Sequence, residues 1–215
     1  RRKHVVEPFK IPKDWFRKMA IDPHPGTPSH VMWLAISPNN EKFIYDELYY
    51  SDKTIKEIAM MIRMKRVEQG FGKDIEHMVL IDPKTKLVDK LRGHKTTVIQ
   101  DFRRAGIGCI PAQSKFEPAY YKIIKDLQDE KLKVFAHCRE TIYEFRHYSW
   151  DNFRTSSTEA VTIKNEPKQI RDHAMSNLKY IYNSGVDYYD IYEDLEDQEE
   201  ELRKLRKRTV YSTGY

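Results

Sequence analysis

Only two cysteines, Cys109 and Cys138, occur in 215 residues. They are far apart and form no metal-binding spacing, so neither a disulfide framework nor a thiolate metal centre is expected, and reduced cytoplasmic thiols are. No apolar run approaches the ~20 residues of a membrane span. No signal-peptide pattern opens the chain, which begins Arg1-Arg2-Lys3. There is no GxxxxGK[ST] loop, so ATP binding by that route is not expected, and no GxGxxG. No Gly-x-Ser-x-Gly supports a serine hydrolase.

What is present is a polar, globular composition, 40% hydrophobic and 33% charged. The length suits one sizeable α/β domain with a real core. The net charge of +5 is uneven: residues 187–208 hold nine acids and five bases, so the remainder carries +9. A basic body points to a polyanionic partner, most simply nucleic acid.

The most informative stretch is Ile21-Asp22-Pro23, which repeats sixty residues on as Ile81-Asp82-Pro83. Proline holds the preceding residue extended and cannot donate to a ladder. Each Asp is therefore expected at the last extended position of a strand. Two such strands, parallel and adjacent, would place two carboxylates in one crevice at their carboxyl ends, where open α/β sheets bind ligands. The plain alternative is that Asp-Pro is a common turn opener.

Along the chain, residues 1–16 read as an incoming linker that docks. Strands are expected over 17–22, 30–37 and 42–50, forming an antiparallel meander. Ser51 or Asp52 is expected to cap a helix to about Gln69, ended by Gly70 and Gly72. A fourth strand is expected over 76–82. Thr96 or Thr97 should cap a helix over 98–105 with Gly106 as its stop. Short strands are expected over 109–112 and 132–136. Helices should cover 116–130, 138–150 and 168–183, with a loop over 151–167. On the last helix, Ile170, Ala174, Leu178 and Ile181 share an apolar face and Asp172 falls just outside it. The expected fold is a mixed sheet, a three-strand antiparallel meander plus parallel strands, with helices on both faces.

A third acid from the closing helix would complete a carboxylate cluster of Asp22, Asp82 and Asp172. Hard oxygen donors without Cys or a His pair suit Mg²⁺ or Mn²⁺ rather than zinc. Two such ions ~3.5–4 Å apart can activate water and stabilise a leaving 3′ oxygen. His24, two residues after Asp22, is a candidate for orienting water or touching phosphate. His173 is more simply a structural neighbour of Asp172 than a co-ligand, because adjacent helical residues point about 100° apart, and with His24 it is a candidate for supporting the site or orienting water. Lys84, Lys86, Lys90, Arg92 and Lys95 form a candidate phosphate-contacting loop, and Lys115 is a further cation at a strand-to-helix junction.

The runs 21–23, 80–83, Phe102-Arg-Arg-Ala-Gly106, Thr141–Asp151 and Arg171-Asp172-His-Ala-Met-Ser-Asn-Leu-Lys-Tyr180 carry a family resemblance. Together they resemble the nuclease domain of tailed-phage terminase large subunits over roughly residues 17–184. The last block is the most specific. The family's version resembles Asp-Asp-His-Ala-Met-Asp-Ala-Leu-Arg-Tyr, and Arg171 and Ser176 stand here in place of two of its acids. The resemblance implies a ribonuclease H-like fold and metal-dependent cutting of concatemeric double-stranded viral DNA during packaging, with Asp22, Asp82 and Asp172 as the metal-binding triad. It also implies a preceding ATPase domain, with 1–16 the remnant of a linker and 185–215 a charged tail. Portal and small-terminase partners, a host-cytoplasmic setting and no membrane association follow from it as well. Two alternatives stay open: a RuvC-like junction resolvase or related nuclease, and a catalytically silent DNA-docking module of a packaging motor.

Overall fold

The two strands that lead into Asp-Pro lie side by side. The computed structural model describes residues 3–24, 28–71, 76–86, 96–148, 150–153, 162–167 and 172–188. Strands β2 (Phe16–Asp22) and β5 (Met78–Ile81) pair in parallel, from Lys18 opposite Met78 to Ile21 opposite Ile81. The Asp82 amide extends the ladder by donating to the Ile21 carbonyl at 3.0 Å. Strands β3 (Ser29–Ile36) and β4 (Lys42–Tyr50) complete the antiparallel meander, with a bulge at Trp33/Leu34.

Three short strands widen the sheet in parallel: β6 (Ile110–Pro111) on β5, β7 (Leu132–Phe135) on β4, and β1 (Val5–Val6) on β7. The order is β1-β7-β4-β3-β2-β5-β6. Only β3 runs against the rest, so β2, β4 and β5 present their carboxyl ends at one edge. The segment read as a docking linker thus contributes the strand at the opposite side of the sheet.

Helices cover both faces. Along β3, His30 faces α5 (His173–Asn183), whose Asn177 amide donates to it. Trp33 faces the other way, where its indole N–H donates to Glu76 at 2.6 Å. Glu76 is in turn held by Arg66 of α1 (Ile55–Glu68). The near-continuous apolar runs of β2 and β3 suit this burial on two sides: Met19, Ile21, Met32, Trp33 and Leu34 are fully buried. Burying each contributes roughly 1.5–3 kcal/mol.

Several boundaries differ from the sequence expectation. Helix α1 begins at Ile55, capped by Thr54 rather than Ser51 or Asp52. Thr54 and Glu57 form a complete capping box, while Asp52 takes a positive φ of 53° and belongs to the turn. Thr97 caps α2 (Val98–Arg104) in the same way, and Gly106 turns the chain out at φ 83°. The fourth expected strand is shorter, because Glu76 leaves the ladder to pair with Arg66. Helices α3 (Phe116–Gln128) and α4 (Arg139–His147) end earlier than expected.

The region read as a helix end and a loop holds an antiparallel hairpin, β8 (Trp150–Phe153) with β9 (Thr162–Pro167). Its aromatic and Thr-Ile residues are good strand formers, and Pro167 sits where a two-stranded ribbon tolerates it. Helix α5 starts at His173, with Asp172 as its N-cap rather than in its first turn. Most of the charged 187–208 segment, and Lys90, Arg92 and Lys95, lie outside the described residues.

Candidate active site

Three elements each deliver one aspartate. Asp22 is the last residue of β2, Asp82 follows β5, and Asp172 caps α5. Pro23 and Pro83 end both strands, since neither has an N–H to continue a ladder. Helix α5 packs across β2 and β3 and brings its N-terminus over their edge. The three carboxylates line one open cleft of about 720 Å³, together with His24, Lys84, His173, Ser176, Lys179 and Tyr180.

Asp22 and Asp82 are buried at 5% and 9% exposure, so their negative charge has little water to screen it. Burial pushes the Asp82 carboxyl above its ordinary value and the Asp22 charge adds to this, while the Lys84 amide opposes it by donating to Asp82 Oδ1 at 2.7 Å. Burial likewise raises Asp172, against the pull of His173 and Lys179.

His173 Nδ1 stands 2.9 Å from Asp22 Oδ2. That bond, followed by the Asp22 charge against the opposing effect of burial, raises the imidazole's pKa. His24 lies against His173 edge-on, ring centres 5.4 Å apart, and its backbone is pinned through Ser29. The sequence reading placed His173 as a neighbour. At the first position of α5 its side chain reaches across to Asp22 at the end of β2.

The sequence reading missed Lys179. It lies two turns beyond Asp172, on the same helical face as Ser176, at positions i, i+4 and i+7. That spacing was available in the sequence, inside the 171–180 block. Burial lowers the Lys179 pKa, and Asp172, Asp22 and Asp82 all act to restore it. The charges of all three aspartates thus act on its ammonium.

Two further carboxylates support the site from beneath. Glu144 of α4 accepts the Ala174 and Met175 N–H groups at 2.8 and 3.1 Å. Glu47 of β4 accepts those of Glu140 and Thr141 at 2.8 and 2.9 Å. Neither shows in a linear sequence, because each cap comes from a different element.

Of the basic candidates, Lys84 lines the cleft. Lys86 ends the 3-10 turn Pro83–Lys86 beside it. Lys115 is the N-cap of α3 and is not among the residues that line the cleft; its carbonyl accepts Asn183 Nδ2 at 2.7 Å.

The donor set suits a hard divalent cation: three carboxylates, from three elements, at one edge. Among the described residues, no three His, Cys, Asp or Glu groups stand as a ready-made cage for an ion. A divalent ion held there would offset the repulsion of the three like charges.

A seven-stranded mixed sheet with one reversed strand, flanked by helices, is a ribonuclease H-like fold. Neither a family model nor a curated protein matches the sequence. Solved structures match its fold, which is that of phage terminase large-subunit nuclease domains. The P22 large terminase nuclease domain superposes with a TM-score of 0.64 at 16% identity, over 89% of this chain and 92% of that one. The large terminase of a thermophilic bacteriophage gives 0.62 at 20% identity, over 86% of this chain and 43% of its own length. The large terminase nuclease of thermophilic phage G20c, a structure with bound zinc, gives 0.54 at 12% identity, over 86% and 96%.

Proposed function

We propose that the chain is the nuclease domain of a terminase large subunit, a Mg²⁺- or Mn²⁺-dependent endonuclease that cuts concatemeric double-stranded DNA during genome packaging. The observation that carries this reading is the meeting of Asp22, Asp82 and Asp172 in one cleft at the carboxyl edge of the sheet. The fold shared with terminase nuclease domains supports it.

In this reading the three aspartates would hold two divalent ions, which would supply a water of lowered pKa and charge to stabilise the leaving 3′ oxygen. Asp22 is kept in place by His173, whose bond leaves the other carboxylate oxygen, Oδ1, for a ligand. Asp82 is kept in place by the Lys84 amide on its Oδ1, which leaves Oδ2. Lys84 and Lys179 draw a phosphodiester backbone into the cleft, and Lys86, Lys90, Arg92 and Lys95 extend that contact along the duplex. His24, on the lip of the cleft, orients water or phosphate. ATPase domain, portal and small-terminase partners belong to the same reading, as does a place in the host cytoplasm.

Incubation of the chain with supercoiled plasmid tests this. Mn²⁺ or Mg²⁺ should convert the plasmid to nicked and linear forms, and EDTA or Asp82→Ala should stop it while the fold survives. Cleavage persisting in a clean Asp82→Ala preparation sinks the proposal. Branched duplexes cut in strong preference to linear ones would favour a junction resolvase.

A further inference from the structure

Helices α4 and α5 begin without a side-chain cap of their own. Cys138 at the start of α4 and Asp172 at the start of α5 make no capping bond. In contrast, α1 and α2 carry complete capping boxes from Thr54 and Thr97. The omission at α5 is unexpected, because Asp is among the best N-cap residues and its natural donors are the N–H groups two and three residues on. Those are the groups of Ala174 and Met175. Both are already taken, by Glu144 Oε2 at 2.8 and 3.1 Å.

We infer that Glu144 is a positioning residue: it takes the capping bonds Asp172 would otherwise form, and so leaves the Asp172 carboxylate to the cleft. The inference rests on Asp172 serving there as proposed above. Glu144 is 4% exposed and belongs to a closed circuit of hydrogen bonds. Glu47 of β4 caps α4 through the Glu140 and Thr141 amides and the Thr141 hydroxyl. Glu144 of α4 then caps α5. Asn177 of α5 donates to the His30 carbonyl and faces its Nδ1, and His30 Nε2 lies 3.2 Å from Glu47. The circuit returns to β4, so the height of α5 over the sheet edge is fixed by two borrowed carboxylates rather than by its own N-cap.

A thermal melting cycle in EDTA, without DNA, tests this. In the parent chain Asp172→Ala should not lower the midpoint, because its side chain caps nothing. In a Glu144→Ala background Asp172 is free to swing back onto Ala174 and Met175. There, Asp172→Ala should lower the midpoint by about 2–4 °C. The same effect of Asp172→Ala in both backgrounds overturns the inference. If Glu144→Ala does not fold, Glu144→Asp, one methylene too short for both amides, carries the same cycle. As a second readout, Mn²⁺ titration by calorimetry should show about 10–100-fold weaker binding for Glu144→Ala and near-parent binding for Glu144→Gln, which keeps an acceptor oxygen. Unchanged Mn²⁺ affinity in Glu144→Ala also overturns it. A parent chain that binds no Mn²⁺ counts against the nuclease reading alone, and the melting cycle then decides the positioning role.

Discussion

His173 Nδ1 and Asp22 Oδ2, 151 residues apart in sequence, meet at 2.9 Å across the cleft between α5 and β2. The bond holds one carboxylate oxygen and turns the aspartate's other oxygen to a fixed direction. Loss of a group that orients a ligand in this way typically costs 10–100-fold in metal affinity or activity. His173→Ala should therefore slow plasmid cleavage by about that factor. His173→Asn, which keeps a donor, should recover part of the rate in a Mn²⁺ time course.

Lys179 answers the charge of three aspartates at once. Without a divalent ion it offsets their repulsion, and with one it becomes less needed. Lys179→Ala should lower the melting midpoint in EDTA by a few degrees, and saturating Mn²⁺ should narrow the gap to the parent chain. A gap of equal size in both conditions would show that Lys179 acts through packing instead.

The pH dependence follows from Glu144. Burial raises its pKa from 4.5 to about 7, against the bonds from Met175 and Ala174. Between those values the folded chain binds more protons than the unfolded one, so stability falls as pH rises through that window. The shift corresponds to a loss of order 3 kcal/mol. His173, also raised, extends the fall above 6.5. In Glu47 the bonds from His30 and Thr141 outweigh burial and depress the pKa, so its contribution is lost only at acid pH, below this window. Melting in EDTA should show a midpoint that drops between pH 5 and pH 8, with a shallower drop in Glu144→Gln.

Much of this was legible in the sequence because it is local. Proline after aspartate stops a ladder wherever it falls at a strand end, and the change of period between the two Asp-Pro sites pointed to the crossover that makes β2 and β5 neighbours. The 171–180 block pointed to Asp172 by resemblance. What was not legible depends on which elements meet. Glu47 and Glu144 are unremarkable acids until α4 and α5 are docked on the sheet. The β8–β9 hairpin was masked by the Ser/Thr-rich residues between its strands. The bond from His173 to Asp22 was not legible because it joins the start of α5 to the end of β2, 151 residues away.

Lys84 is exposed at the mouth of the cleft, beside Asp82. If it contacts a DNA phosphate, Lys84→Ala should weaken binding evenly across sequences. The slope of log affinity against log salt should fall by about 0.9, the value for one contact to duplex DNA. Binding measured by fluorescence anisotropy in Ca²⁺ at several salt concentrations checks this, and an unchanged slope removes Lys84 from the interface.

The centre of the account is that Asp22, Asp82 and Asp172, from three separate elements, hold divalent cations together. Anomalous scattering from a crystal soaked in Mn²⁺ tests it most directly. The account predicts anomalous peaks within coordination distance of all three carboxylates, lost in Asp82→Ala. Saturating Mn²⁺ that leaves the cleft without a peak, or peaks that survive Asp82→Ala unchanged, would contradict it.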